Sequence, residues 1–136
     1  IVFFDTDLAA DMPHLRKRGA NLFSKSTFVS AQFDEWLKDD LWLTLARHSN
    51  AMAQTLADAV KASRASRLAW EAGGNQLFII LNDDTARRMA DAGVPLRTWE
   101  TPDSLQGTLK NDEKIYRFVT SFATRPEDID AVSAFL

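Results

Sequence analysis

The chain has 136 residues, 46% of them hydrophobic and 26% charged, with a formal net charge of −3; this suits one globular domain with a real core. It has no cysteine, which excludes disulfide frameworks, thiolate metal sites and cysteine nucleophiles, and its two histidines, His14 and His48, leave little for a His-rich metal centre. No apolar run approaches the ~20 residues of a membrane span, and with no signal peptide visible the expected setting is the cytoplasm.

The chain opens on the apolar run "IVFF", which reads as a buried strand over residues 1–4. Such a beginning suggests a piece of something longer. Asp5, Thr6 and Asp7 offer N-caps for a helix through "LAADMPHLRKR", in which Pro13 calls for a late start or a kink. Gly19 is the expected C′ residue, which places Arg16, Lys17 and Arg18 in the last turn, where cations favour the helix dipole. Ser26 or Ser30 can cap "AQFDEWLKDD", with Phe33, Trp36 and Leu37 at helical spacing. Asp39 and Asp40 are cap candidates for a long helix with a stripe of Leu41, Leu45, His48, Met52, Leu56 and Ala59 or Val60. At 1.5 Å per residue it runs ~30 Å, the longest element.

After Ser66 the period changes. "RLAWEA" and "QLFIIL" read as strands around Gly73, Gly74 and Asn75. Asp83 or Asp84 is expected to cap "TARRMADAG", closed by Gly93. "VPLRTWE" is an edge strand with Pro95 near its start, residues 101–114 a polar loop and "KIYRFVTSF" an alternating strand. "RPEDIDAVSAFL" is a closing helix with Pro126 at N1 and Glu127 and Asp128 in its first turn. The pattern implies an α+β fold: a long helix, then helices packed on a small, mostly antiparallel sheet.

In the alternating strand, Ile115, Arg117, Val119 and Ser121 share one face, and Tyr116, Phe118, Thr120 and Phe122 the other. An unpaired guanidinium is costly to bury, so Arg117 needs an anion or an opening to water. A structural Arg paired with a local carboxylate, an Arg snorkelling at the sheet edge, and a bidentate fork for a ligand carboxylate all meet that need. The segment of Arg16, Lys17, Arg18 and Lys25 suits either a solvated helix end or an anion site. It is too short for a nucleic-acid face, and Asp34, Glu35, Asp39 and Asp40 follow it. His48 lies on an apolar stripe, as core or interface histidines do. The pairs Asp39–Asp40 and Asp83–Asp84 suit caps better than acid/base dyads or metal ligands. No hydrolase triad, P-loop or zinc pattern occurs.

The succession "LRKRGANLFSKSTFVSAQFDEWLKDDLWLTLARHSNAMAQTLADAV", with "EAGGNQLFIIL" and "RFVTSF", resembles the region after the cofactor lysine in low-specificity L-threonine aldolases. These are β-eliminating lyases, fold-type I enzymes of pyridoxal 5′-phosphate (PLP). The resemblance covers nearly the whole chain, most strongly residues 14–60 and 115–124. It implies that residues 1–25 are the tail end of the large PLP-binding domain (strand, helix and basic loop) and residues 26–136 the connecting helices and small C-terminal domain. It further implies retro-aldol cleavage of L-threonine or a related β-hydroxy-α-amino acid to glycine and an aldehyde, with PLP as electron sink.

By position, Arg117 matches the family arginine for the substrate α-carboxylate, and Arg16, Lys17, Arg18 and Lys25 match the basic loop for cofactor or substrate. The Schiff-base lysine should sit in a Thr-Lys-Asn-Gly-like motif, which does not occur here; the resemblance puts it upstream, so that the chain alone should be inactive. It also implies a homodimer or homotetramer, with Phe33, Trp36 and Trp42 partly at interfaces; on composition and pattern no metal, nucleic acid or membrane is expected. Ala20 and Asn21 depart from the family's second Gly and a His, Gly74 is an extra residue, and the 101–114 loop is long. A different class remains open: a non-catalytic α+β binding or interaction module related to such C-terminal domains.

Overall fold

The computed structural model describes residues 4–136; the strand expected over residues 1–4 thus lies outside the described residues except for Phe4, which is exposed in a bend. The chain divides into two compact units, residues 1–41 and residues 42–136.

In the first unit, the expected single helix is two short ones, α1 (Thr6–Ala9) and α2 (Met12–Arg18). Asp5 caps α1 by accepting from the Asp7 N–H at 2.9 Å. Pro13 sits in the first turn of α2, where its missing N–H costs nothing, so the helix starts late rather than kinking. Gly19 follows α2 at φ −78°, and it is Ala20 that takes the left-handed conformation at φ 55°. Helix α3 (Ser26–Leu37) begins at Ser26 itself, so neither Ser26 nor Ser30 caps it. Asp39 and Asp40 lie at φ 51° and 58°. They break the helical run through their backbone angles, in a region that short polar side chains tolerate better than most.

The second unit is dominated by α4 (Leu41–Ala62), whose first residue belongs to the first unit. Its core-facing stripe is Ser49, Ala53, Leu56, Ala57 and Val60. That is rotated from the expected stripe: Leu41 is 38% exposed, and small residues hold the contact. Strands β1 (Ser66–Leu68), β2 (Gln76–Asn82), β3 (Thr98–Trp99) and β4 (Glu113–Val119) form one antiparallel sheet in the order β1-β2-β4-β3. Helix α5 (Asp83–Asp91) follows β2 directly, and α6 (Pro126–Ser133) follows β4. The cap of α5 is Asn82, which accepts from the Thr85 N–H at 2.8 Å; Asp83 and Asp84 occupy the first turn instead. Gly93, at φ 84°, closes α5. The expected "VPLRTWE" strand shrinks to two paired residues at the sheet edge.

Alternation along the strands divides the sheet into two faces. Leu77, Ile79, Leu81 and Tyr116 pack with Ala53, Leu56, Ala57 and Val60 of α4, Ala86 and Met89 of α5 and Ile129 of α6. The helices therefore cover one face, as a two-layer α+β unit requires. Thr120, 3% exposed, ties the end of β4 to α4 by donating to the Ser49 carbonyl at 2.7 Å. Asn75 donates to the Thr120 carbonyl at 2.7 Å and its own carbonyl accepts from the Thr120 N–H at 3.0 Å. These bonds extend the β2–β4 pairing by one step beyond Gln76↔Val119.

On the second face, Arg67 reaches across β2 to Glu113 in a bidentate pair, at 2.6 and 2.8 Å. The Glu113 side chain is only 8% exposed. Hydrogen bonding from Arg67, reinforced by the Lys110 N–H, lowers its pKa from 4.5 to about 2. A carboxyl whose folded pKa is depressed adds stability that is complete above its unfolded pKa and is lost as pH falls toward the folded one. The pair's contribution should therefore fade between about pH 4.5 and pH 2. With the Arg67 side chain 47% exposed, solvent screening reduces that contribution to about 1–2 kcal/mol. Urea unfolding at pH 6 and pH 3 should show Glu113→Gln losing less stability on acidification than the parent chain.

Candidate functional site

The second face of the sheet carries the clearest constellation. Arg117 lies in β4 opposite Phe78 of β2, and its N–H bonds the Arg97 carbonyl at 2.9 Å. Trp99 pairs with Ile115, so it is a diagonal neighbour of Arg117, within reach of a long side chain. The Arg117 guanidinium stands over the Trp99 ring at 5.2 Å from the centroid. Phe78 meets Trp99 edge-to-face at 5.1 Å between centroids and Trp70 at 4.4 Å. A row Trp70–Phe78–Trp99–Arg117 therefore crosses the sheet. Trp70 and Trp99 remain 37% and 43% exposed.

Arg117 is half-buried, yet among the described residues no carboxylate lies within ion-pair distance of it. Arg67, Arg87, Arg88 and Arg125 all have carboxylate partners. A guanidinium carries five N–H donors, and stacking on a ring uses none of them. Arg117 thus keeps a donor fork free above an aromatic floor, an arrangement suited to a carboxylate or phosphate. Of the sequence alternatives, pairing with a local Asp or Glu does not occur among the described residues.

The basic segment lies in the other unit. Arg16, Lys17 and Arg18 share the last turn of α2, Lys25 stands just before α3, and all four are exposed. Arg16 makes one long hydrogen bond, Nε to the Asn21 carbonyl at 3.4 Å. Among the described residues none of the four has a carboxylate partner.

His48 is half-buried, with Nε2 2.7 Å from the Thr124 carbonyl. That contact fastens α4 to the turn before α6, a structural use of the ring. An imine-forming lysine needs a sheltered amine that deprotonates readily. All six lysines are exposed, and Lys38, Lys61 and Lys114 are ion-paired. Hydrogen bonds to Glu71 and Asp83 raise Lys61 and Lys114 above their ordinary pKa. The described residues hold no cluster of acidic or histidine side chains that suits a metal ion, and no described helix is long and apolar enough to cross a membrane.

Sequence reasoning did not single out Trp70, Phe78 or Trp99. Phe78 and Arg117 each sit on a readable strand, but only the pairing register puts them side by side.

No family model matches the chain. Over 93 residues it is 32% identical to a low specificity L-threonine aldolase of Pseudomonas aeruginosa, a match that covers 68% of this chain and 27% of that enzyme. A low specificity L-threonine aldolase of another Pseudomonas strain is 30% identical over 93 residues, with the same coverage. Among solved structures, Leishmania major threonine aldolase matches with a TM-score of 0.77 and 30% identity, over 92% of this chain and 34% of that one. The chain spans about a quarter to a third of the length of these relatives. In sequence and in fold it is similar to the C-terminal portion of threonine aldolases.

Proposed function

We propose that the chain is the C-terminal portion of a PLP-dependent lyase that cleaves L-threonine or related β-hydroxy-α-amino acids to glycine and an aldehyde. The observation that carries this reading is Arg117, half-buried on an aromatic face with its donors free of any carboxylate among the described residues. In the full enzyme Arg117 takes the substrate α-carboxylate as a bidentate partner. Fixing that group sets the direction of the Cα–Cβ bond, so the residue works through geometry rather than proton transfer. Arg16, Lys17, Arg18 and Lys25 supply positive charge for the anionic cofactor or substrate.

Residues 1–25 complete the large domain in this reading, and residues 26–136 are the connecting helices and small domain. The imine-forming lysine and the cradle for PLP belong to the remainder of the enzyme, so the chain alone is inactive. The full protein works as a homodimer or homotetramer in the cytoplasm. The test is aldehyde release from L-threonine and from phenylserine by the full-length protein supplied with PLP. Release of acetaldehyde and benzaldehyde together with glycine is the expected result. Neither product at any substrate concentration would favour the non-catalytic binding module.

A further inference from the structure

We propose that Trp99 is a positioning residue for Arg117: its indole face fixes the guanidinium with the donor fork open toward the substrate carboxylate. This rests on the reading of Arg117 as the carboxylate ligand.

Three observations lead there. First, Trp99 does little for the core. It sits on a two-residue edge strand, is 43% exposed, and lies on the face away from α4, α5 and α6. Second, its ring is held in place. The backbone is fixed by the Trp99↔Ile115 and Thr98↔Tyr116 pairs, and the ring abuts Phe78, which is itself packed on Trp70. Third, the guanidinium stands over that fixed ring at 5.2 Å.

An arginine side chain has many rotamers, and ordering it on ligand binding weakens affinity. A carboxylate partner could order it too, but would occupy the donors the substrate needs. Stacking on tryptophan, the strongest aromatic partner for a cation, orders the side chain and leaves every N–H available. The row of three aromatic rings thus pre-forms an arginine fork.

The test uses the full-length protein and steady-state cleavage of L-threonine. Trp99→Leu is expected to raise KM about 3- to 20-fold with kcat within about twofold, the size of a lost cation–π contact. Trp99→Phe, which keeps an aromatic face, should recover most of that loss. In an Arg117→Ala background, Trp99→Leu should add nothing further to KM, because the residue it positions is gone. Trp99→Gln is a second variant at this half-exposed site and decides the matter in the same way if the leucine protein does not fold.

A KM left unchanged by Trp99→Leu or Trp99→Gln, with Arg117→Ala still raising it, overturns the positioning role and leaves the Arg117 reading standing. An equal KM penalty in the Arg117→Ala background also overturns it, since Trp99 would then act by packing alone. An unchanged KM in Arg117→Ala itself overturns the reading beneath it.

Discussion

Arg117→Ala in the full-length protein is expected to raise KM for L-threonine by about 10- to 100-fold, since hydrogen bonds between charged partners contribute about 1.5–3 kcal/mol and each 1.4 kcal/mol is a factor of ten. The same substitution should leave folding stability within about 0.5 kcal/mol. Among the described residues the guanidinium has no carboxylate to strand, and its main contact is the half-exposed Trp99 ring. Arg117→Lys restores the charge but not the planar fork, so it should recover only part of the affinity. Steady-state kinetics together with thermal melting of the same three proteins separates this account from a structural one. A structural arginine would lose stability and affinity together.

Leu77→Ala should have the largest effect on stability, about 2–5 kcal/mol. Leu77 is 0% exposed, lies in β2 between β1 and β4, and belongs to the core cluster with Ala53, Leu56 and Ala57 of α4. The cluster includes Ala53, Ala57 and Ala86, which have no χ angles with which to collapse into the space left behind. Domains of this kind have about 5–15 kcal/mol in total, so the loss is a large fraction. Urea unfolding should give a lower midpoint with an unchanged slope. Phe122→Ala makes the contrast: that ring is 65% exposed, and its removal should change stability by about 0.5 kcal/mol or less.

How far the sequence foretold this molecule varied with the kind of signal. Alternation in "IYRFVTSF" set Tyr116, Phe118 and Thr120 on the face opposite Arg117, because a strand's period of two leaves little choice; which of the two faces the helices cover came only with the packing. The α+β class followed from the order of elements in the same way. The stripe on α4 is displaced because large apolar residues dominate a helix's hydrophobic pattern. The helix contacts the sheet through Ser49, Ala53 and Ala57, whose small side chains carry a weak hydrophobic signal.

The cap of α5 fell on Asn82 rather than Asp83 or Asp84 because Asn and Asp cap about equally well. Only the end of β2 decides which of the three residues comes first. Ala20 in place of Gly19 shows the same limit: a glycine permits a left-handed turn but does not fix its position. Trp99 was invisible as a partner of Arg117, since residues 99 and 117 meet only through the β3–β4 register. Long-range pairing of that kind has no local sequence mark.

If Arg117 reads a carboxylate, ligand discrimination must depend on it. Calorimetric binding of glycine and of glycinamide, which lacks the carboxylate, should be compared in the full-length protein and its Arg117→Ala variant. The parent protein should prefer glycine by about 10-fold or more, on the strength of charge-assisted hydrogen bonds, and the variant should bind both ligands alike. A variant that kept the full preference for glycine would contradict this role of Arg117.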